Sequence, residues 1–532
     1  MNVWFIAAAL AGPGVPTADD VHGALVAELA RVPDLALPDH GPPHHVLTTA
    51  AAGWEVHVEA SFGALVDSDT RLRDDMRVEV RAGTPEFDST GIGTSWDQPG
   101  IESTGLPDLA TERGVREDVW RWVDYLYKEA VENLGRKEAS RGELEDADAP
   151  VADWAPTEPL VRRESVAVFP ARPDAAELEA LARAATGAVR GRRLERADAD
   201  VWWQDGHRIL VDTDGLSVVQ ADPWARVRVT LSTRSDDGEA RDVVLRWSGR
   251  SAADLPPVAE LQGAVLAAAD GLDAWRDAPR LEEPWYGPVV LEGSAAAQLL
   301  YRRVITPLEG TPDVARQNPW SANVTPAKDR TAAPGTRVLP RGWSVVDDAT
   351  RDLGAPCCPA VDGEGVPPRQ VELVSDGAVQ AHLMTRTLSG HFSGSTGHAA
   401  PARDRRCSAR ATWVTVDAPG PVSHAKLRKI ALREAAHSGA DRILVLGDTP
   451  GLGHWLTADG QWLPVRGFDA HELDLRPLRG MTVAGPSSTV DLPRTRTVVT
   501  VPDLLVPNVA VLPESKTERG APRRRQSPLV EE

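Results

Sequence analysis

The sequence predicts an α+β fold in two lobes: an N-terminal lobe of antiparallel sheet with long helices, and a β-rich C-terminal lobe. Three observations predict it. At 532 residues the chain is too long for one hydrophobic core, since roughly 100–200 residues per domain is usual. Period-two runs recur in both halves, several of them bounded by Asp-Gly turn signals. The clearest helical periodicities, at 19–32 and 112–137, fall in the first half, and strands and turns dominate from 338 to 416. The expected division is 19–280 for the first lobe and 285–510 for the second, with 511–532 a polar tail.

Taken in order, residues 3–12 (VWFIAAALAG) are an apolar run of signal-peptide length without the basic flank that a signal peptide carries. A weak signal peptide over 1–18 is the preferred reading and implies an exported or periplasmic protein. A buried first strand in a cytoplasmic protein is the alternative. The run is too short to span a bilayer.

Asp19 and Asp20 open an amphipathic helix over 19–32, where carboxylates suit the helix dipole. A hairpin is expected next. Trp54, Val56 and Val58 alternate with Glu55, His57 and Glu59, and Met76, Val78, Val80 and Ala82 alternate with Arg77, Glu79 and Arg81. Their outward charges are opposite, which favours cross-strand pairing if the register matches. Over 112–137, Val119, Trp122, Val123, Leu126, Ala130, Val131 and Leu134 recur at helical spacing. Residues 138–160 read as an acidic linker. A strand at Val166 and Val168 precedes a helix from Asp174 to Thr186. Strands fill 200–247, with turn signals at Asp205-Gly206, Asp214-Gly215 and Asp237-Gly238. A helix over 257–276 closes the lobe.

The second lobe begins with a strand at 287–293 (GPVVLEG) and an Ala-rich helix at 294–304. Residues 306–336 are irregular. A helix over 423–438 precedes the strand RILVLG, and TRTVVTV and LLVPNVAVL are the closing strands.

Acidic residues number 78 against 58 basic ones, a net charge of −20. Such a surface repels phosphate backbones, so no nucleic-acid partner is expected. No later stretch resembles a transmembrane helix, so no membrane span is expected. Of the cysteines, Cys357 and Cys358 are adjacent and poor candidates for pairing with each other, and no CxxC pair exists.

His382, His391, His398 and Cys407 cluster in sequence, but not at a standard zinc spacing. They read more simply as polar lining of a cleft. The loop 389–398 has neither the phosphate-loop pattern nor G-x-S-x-G. Asp347, Asp348, Asp362 and Glu364 read as turn carboxylates before acid/base groups. Arg386 and Arg466 each end an expected strand beside Gly-containing sequence. Either could hold a peptide carboxylate bidentately, and a structural salt bridge is the competing reading.

Several segments resemble the TldD/PmbA family in the family's own order: GPVVLEGSAAAQLL (287–300), SVVDDATRDLG (344–354), DGEGVPPRQVELVSDGAVQAHLMTRTLSG (362–390), STGHA (395–399), HAKLRKIALREAAHSGADRILVL (424–446), DGQWLPVRGF (459–468) and TRTVVTVPDLLV (495–506). The stretch 59–90 resembles one branch of the family. The resemblance implies descent from metallopeptidases whose zinc is held by His-Glu-x-x-x-His and a C-terminal cysteine, with the Glu as general base. In the window that corresponds here, Glu292 replaces the first His, Gly293 the Glu and Ala297 the second His, and no cysteine follows Cys407. The resemblance is therefore to a PmbA-like branch with no metal and no cofactor, and it assigns no catalytic residue.

By the same resemblance, the loop after Arg386 borders the substrate cleft. Arg386, Ser389, His391, Ser395, His398 and Arg466 are thus expected to contact a peptide or unfolded polypeptide segment. Family members form dimers, which implies a homodimer, or a heterodimer with a zinc-bearing relative. The expected function is that of a non-catalytic peptide-binding or partner subunit. The alternatives are an active peptidase or hydrolase with a non-standard site, and a structural protein that kept the fold alone.

Overall fold

The computed structural model describes residues 17–73, 75–93, 98–105, 111–140, 152–164, 173–312, 315–317, 324–325, 332–353, 355, 357–388, 394–402, 405–468, 478, 480–481, 484–492 and 495–514. The candidate signal peptide up to residue 16, the expected strand at Val166 and Val168, and the tail beyond 514 lie outside these. The fold is α+β, with one large sheet in each half of the chain.

The first sheet has nine strands. Its spine is the strand His45–Ser61, antiparallel along nearly its whole length to Arg196–Asp212. Two glycines, Gly53 and Gly206, face each other across this pair. Gly206 has φ +125°, and a Cβ there would lie 2.1 Å from the Ala52 carbonyl oxygen. Only glycine permits that approach. Asp205-Gly206 therefore sits inside a strand, not in the turn expected of it. Asp214-Gly215 and Asp237-Gly238 do fall between strands.

The expected hairpin is also arranged differently. The run at 54–59 pairs with Ala64–Arg73, so that Glu55 faces Arg71 and forms an ion pair with it. The strand Asp75–Arg81 pairs instead with the earlier half, His45 to Ala50. A strand of 17 residues is long enough to serve two partners in succession, which period-two alternation cannot reveal.

Among the described residues, four helices cover this sheet. Helices α1 (Ala18–Leu29) and α2 (Glu112–Ala139) pack Val21, Leu25, Val119, Val123 and Leu126 on Val46, Ala50, Val78 and Val80. Thr111 caps α2 by accepting the Gly114 N–H, and Arg136 and Lys137 lie in its last turn, where positive charge suits the dipole. Helices α3 (Ala176–Gly187) and α4 (Val258–Asp277) cover Val56, Val58, Ala60 and Val227. Leu47, Leu210 and Val218 form a separate cluster with Val361 of the second half.

The second sheet has ten strands, in mixed orientation. Its central strand Trp285–Leu291 runs parallel to Arg442–Leu446 and antiparallel to Val498–Val511. Helices α5 (Gly293–Leu300) and α6 (His424–His437) lie on opposite faces. Val289 and Leu291 share a core with α5, while Val290 packs under Leu427 and Ala431 of α6. Burial on both faces explains the unbroken apolar run VVL.

Helix α5 passes directly into a π-turn over Tyr301–Ile305. The expected exit strand over 377–387 is a strand only at Ala378–Val379, and the chain then runs irregularly, with isolated bridges at Leu383 and Thr387. Asp376 and Gly377, which precede it, both have positive φ, as a tight hairpin requires. Residues 511–514, expected within a polar tail, are fastened: Val511 ends the last strand, and the Glu514 N–H donates to the Gly467 carbonyl at 2.8 Å. Among the described residues, no helix is long and apolar enough to cross a membrane.

Candidate functional site

The three positions of the degenerate metal window follow the central strand into α5. Glu292 is the N-cap residue but makes no side-chain cap. That task falls to Asp448, whose carboxylate accepts the Ser294 N–H at 3.0 Å and hydroxyl at 2.9 Å. Gly293 adopts φ +52°, and a Cβ there would meet the Asp448 carboxylate at 2.7 Å. Ala297 is buried in the core beneath the helix.

The Glu292 carboxylate is gripped by the Arg428 guanidinium through bonds of 2.7–2.9 Å to both oxygens. His424 and Asp503 stand close by, the pair linked at 2.6 Å, so three potential ligands approach one another. Arg428 already neutralises the Glu292 carboxylate. The cluster therefore has the chemistry of an ion-pair network.

The expected substrate residues lie in several surroundings. Arg386 is buried between the two halves. It makes ion pairs with Asp214 at 2.7 Å and Asp212 at 3.4 Å, and its Nε donates to the Ala155 carbonyl at 3.0 Å. Its guanidinium lies 4.3 Å from the centre of the Trp154 ring, and Arg81 lies 3.6 Å from the same ring. Arg81 in turn holds Glu79 at 2.8 Å and Asp88 at 2.9 Å.

Burial alone would raise the Glu79 carboxyl, but Arg81, Arg77 and Arg406 outweigh it and hold the group down at about 2. Glu364 goes the other way. Burial, then the charges of Asp362 and Glu79, push it up to about 8. One Glu364 oxygen accepts the Arg386 backbone N–H at 2.6 Å, and the other has no hydrogen-bond partner among the described residues.

Arg466 belongs to another network, with Asp237 at 2.9 Å, Glu239 at 2.7 Å and the Ala278 carbonyl at 3.1 Å. His398 is buried. Its Nε2 faces Asp347 at 3.2 Å and its Nδ1 faces the Thr396 carbonyl at 2.9 Å. The Asp347 carboxylate also accepts the Thr412 N–H at 2.8 Å. The Ser395 hydroxyl donates to the Met384 carbonyl at 3.2 Å. Ser389 and His391 lie outside the described residues. Arg386 and Arg466 thus both carry ion pairs, the competing reading that the sequence left open.

An open cavity lies elsewhere. It has a volume of about 390 Å³ and is walled by Ser248, Gly249, Arg250 and Asp254 from the first half and by Asp352, Ala355, Cys357, Trp413, Asp491 and Arg496 from the second. Ligand pockets are typically about 300–1,000 Å³. Its walls carry both signs of charge. Arg250 pairs with Asp352 and donates to the Leu353 carbonyl at 2.9 Å. Arg496 stacks 3.9 Å from the centre of the Trp224 ring.

Asp491 accepts the Ser248 hydroxyl at 2.8 Å through one oxygen, and burial raises its pKa against the opposing pull of Arg246. Its other oxygen and the Trp413 indole N–H are buried without hydrogen-bond partners among the described residues. Buried polar groups left so are uncommon. Sequence reasoning did not find this cavity. The only local hints were the polar breaks WSGRS (247–251) and DLPRTR (491–496) beside strands.

Comparison with known proteins shows what the chain resembles. Residues 286–432 match the model of the PmbA/TldA metallopeptidase C-terminal domain. No curated protein sequence matches the chain. Three solved structures share its fold. TldE from Thermococcus kodakarensis is 13% identical with a TM-score of 0.53, over 88% of this chain and 96% of that one. A candidate modulator of a DNA gyrase from Thermotoga maritima is 14% identical with a TM-score of 0.54, over the same shares of 88% and 96%. A candidate modulator of DNA gyrase from Bacteroides thetaiotaomicron is 10% identical with a TM-score of 0.53, over 92% and 98%. The chain is thus similar to the PmbA/TldA C-terminal domain over residues 286–432 and shares its fold with these three structures.

Proposed function

We propose that this chain is a non-catalytic, peptide-binding subunit of its family, and that the peptide occupies the cavity between the two lobes, 19–280 and 285–510. The observation that carries the reading is the cavity's wall: guanidinium and carboxylate groups on one concave surface beside an indole. A peptide end offers the complement. Its carboxylate suits Arg496 or Arg250, its ammonium suits Asp491 or Asp352, and its amide oxygens can take the unspent Trp413 N–H. The degenerate window supports the non-catalytic half of the reading. Glu292 is its only ligand-type side chain, and Arg428 already holds it. Such a subunit would act as a homodimer or beside a zinc-bearing relative, presenting substrate to the partner's metal.

Hydrolysis at a non-standard site is the second reading. Its best chemistry among the described residues is the buried Asp347–His398 pair. Both ring nitrogens of His398 already face protein acceptors, and neither residue lines the cavity.

The test is equilibrium binding of short peptides with free termini against the same peptides acetylated and amidated. Free termini should bind at least about tenfold more tightly, the order of one charge-assisted contact. Trp413→Ala and Arg496→Ala should each remove most of that binding, and the chain alone should release no cleavage products. Equal binding of blocked and free peptides, or unchanged binding by both variants, would sink the cavity reading.

A further inference from the structure

The cavity wall holds a pair of thiols. Cys357 is half-buried and lines the cavity, while Cys358 beside it is fully buried. Their sulfur atoms are 3.0 Å apart. A disulfide bond is about 2.05 Å long, so closing one needs about 1 Å of movement. Adjacency in the chain argues against such pairing, because neighbouring side chains usually diverge. The local backbone overcomes this. The Cys358 N–H donates to the Ala355 carbonyl at 2.9 Å, and the Ala355 N–H donates to the Asp352 carbonyl at 2.9 Å, so Cys358 turns back on Ala355 and Ala355 on Asp352. Pro359 follows and restricts Cys358 to extended backbone. Cys407, the third cysteine, is buried beside Gly363, in different surroundings, and does not line the cavity.

We propose that Cys357 and Cys358 are an oxidation site, converted by hydrogen peroxide into a vicinal disulfide in the cavity wall. Cys357 is the thiol that the oxidant reaches from the cavity. Its thiolate attacks the peroxide O–O bond, takes one oxygen as sulfenic acid, and releases hydroxide, which is protonated to water. The Cys358 sulfur then attacks the sulfenic sulfur, the S–O bond breaks, and the departing hydroxide takes the Cys358 proton to leave a second water. Two thiols and one peroxide become one disulfide and two waters, with two electrons passing from sulfur to oxygen. The hydrogen bond with the Cys357 sulfur, and then burial, raise the Cys358 pKa, which suits it to the second step, where the leaving hydroxide removes its proton. The new bond draws the Cys357 sulfur toward Cys358 and reshapes one wall of the cavity.

The test uses the full chain and does not depend on peptide binding. Reduced protein is treated with hydrogen peroxide, denatured, and assayed for free thiols and intact mass. Thiols should fall from three to one, and mass should fall by two hydrogens. The peptide carrying 357 and 358 should hold the linkage, and a thiol reductant should restore all three. Cys407→Ser should still lose two thiols, whereas Cys357→Ser should form no intrachain disulfide. Three thiols persisting, a mass gain of oxygen in place of the hydrogen loss, or covalent dimers would each overturn the proposal. Peptide binding measured before and after oxidation separates the two readings: a disulfide that forms in a chain blind to peptides would leave this one standing and remove the other.

Discussion

Replacing Arg386 with Met tests what holds the two halves together. Met keeps an apolar stem of similar length and removes every donor. Four contacts vanish: the ion pairs to Asp214 at 2.7 Å and Asp212 at 3.4 Å, the bond to the Ala155 carbonyl at 3.0 Å, and the guanidinium over the Trp154 ring at 4.3 Å. The two carboxylates are not left equally exposed to the loss. Asp214 is one-third exposed and keeps His45 at 3.0 Å, so water and imidazole compensate it in part. Asp212 is buried and keeps only the Asp214 and Leu216 N–H groups, both at 2.8 Å on one oxygen.

Breaking a buried pair from one side costs about 3–5 kcal/mol. The partial compensation at Asp214 puts Arg386→Met near the lower end, at about 3 kcal/mol. An exposed pair would cost under about 1 kcal/mol. The assay is urea unfolding followed by tryptophan fluorescence and by far-UV circular dichroism, because two lobes need two probes before a single free energy is quoted. A loss below about 1 kcal/mol, with peptide capture weakened about tenfold, would refute this reasoning and restore Arg386 to the role of a peptide clamp.

Ala297→Asp should destabilise by about 3 kcal/mol or more, since it puts an unpaired charge into the core under α5; an unchanged urea midpoint would mean that this face is open to water. Gly377→Ala should cost at least about 2 kcal/mol, because φ is +76° and the new Cβ would sit 2.3 Å from the Leu339 and Pro340 carbonyl oxygens; thermal unfolding measures it. Glu364, raised to about 8 from an ordinary 4.5, binds a proton in the fold that the unfolded chain has lost over that interval. Its contribution is complete below that window and disappears as pH rises through it, so Glu364→Gln should flatten the fall in stability between about pH 5 and about pH 8.5. Glu79, lowered to about 2, has the opposite sign, and its contribution disappears as pH falls from 4.5 toward 2; the acid limb should therefore persist in Glu364→Gln, and its disappearance there would contradict the assignment.

The sequence by itself determined the α+β class, the apolar stripe of the helix read at 112–137, the turns at Asp214-Gly215 and Asp237-Gly238 and the absence of histidine from the 292–297 window. Each of these is local. A helical stripe or a strand alternation repeats within a few residues, and a tight turn depends on the φ of two adjacent ones. Tertiary structure decided the rest. Which strand takes the run at 54–59 depends on a register shared with partners along a strand of 17 residues. Whether Arg386 is a clamp or a buried ion pair depends on Asp212 and Asp214, more than 170 positions away in sequence yet within 3.4 Å in space. The cavity draws its walls from around Arg250, Asp352, Trp413 and Arg496, four places in the sequence with no common pattern. Charge and burial act through space and solvent, so the same arginine can be a ligand or a strut, and only the folded chain decides which carboxylates surround it.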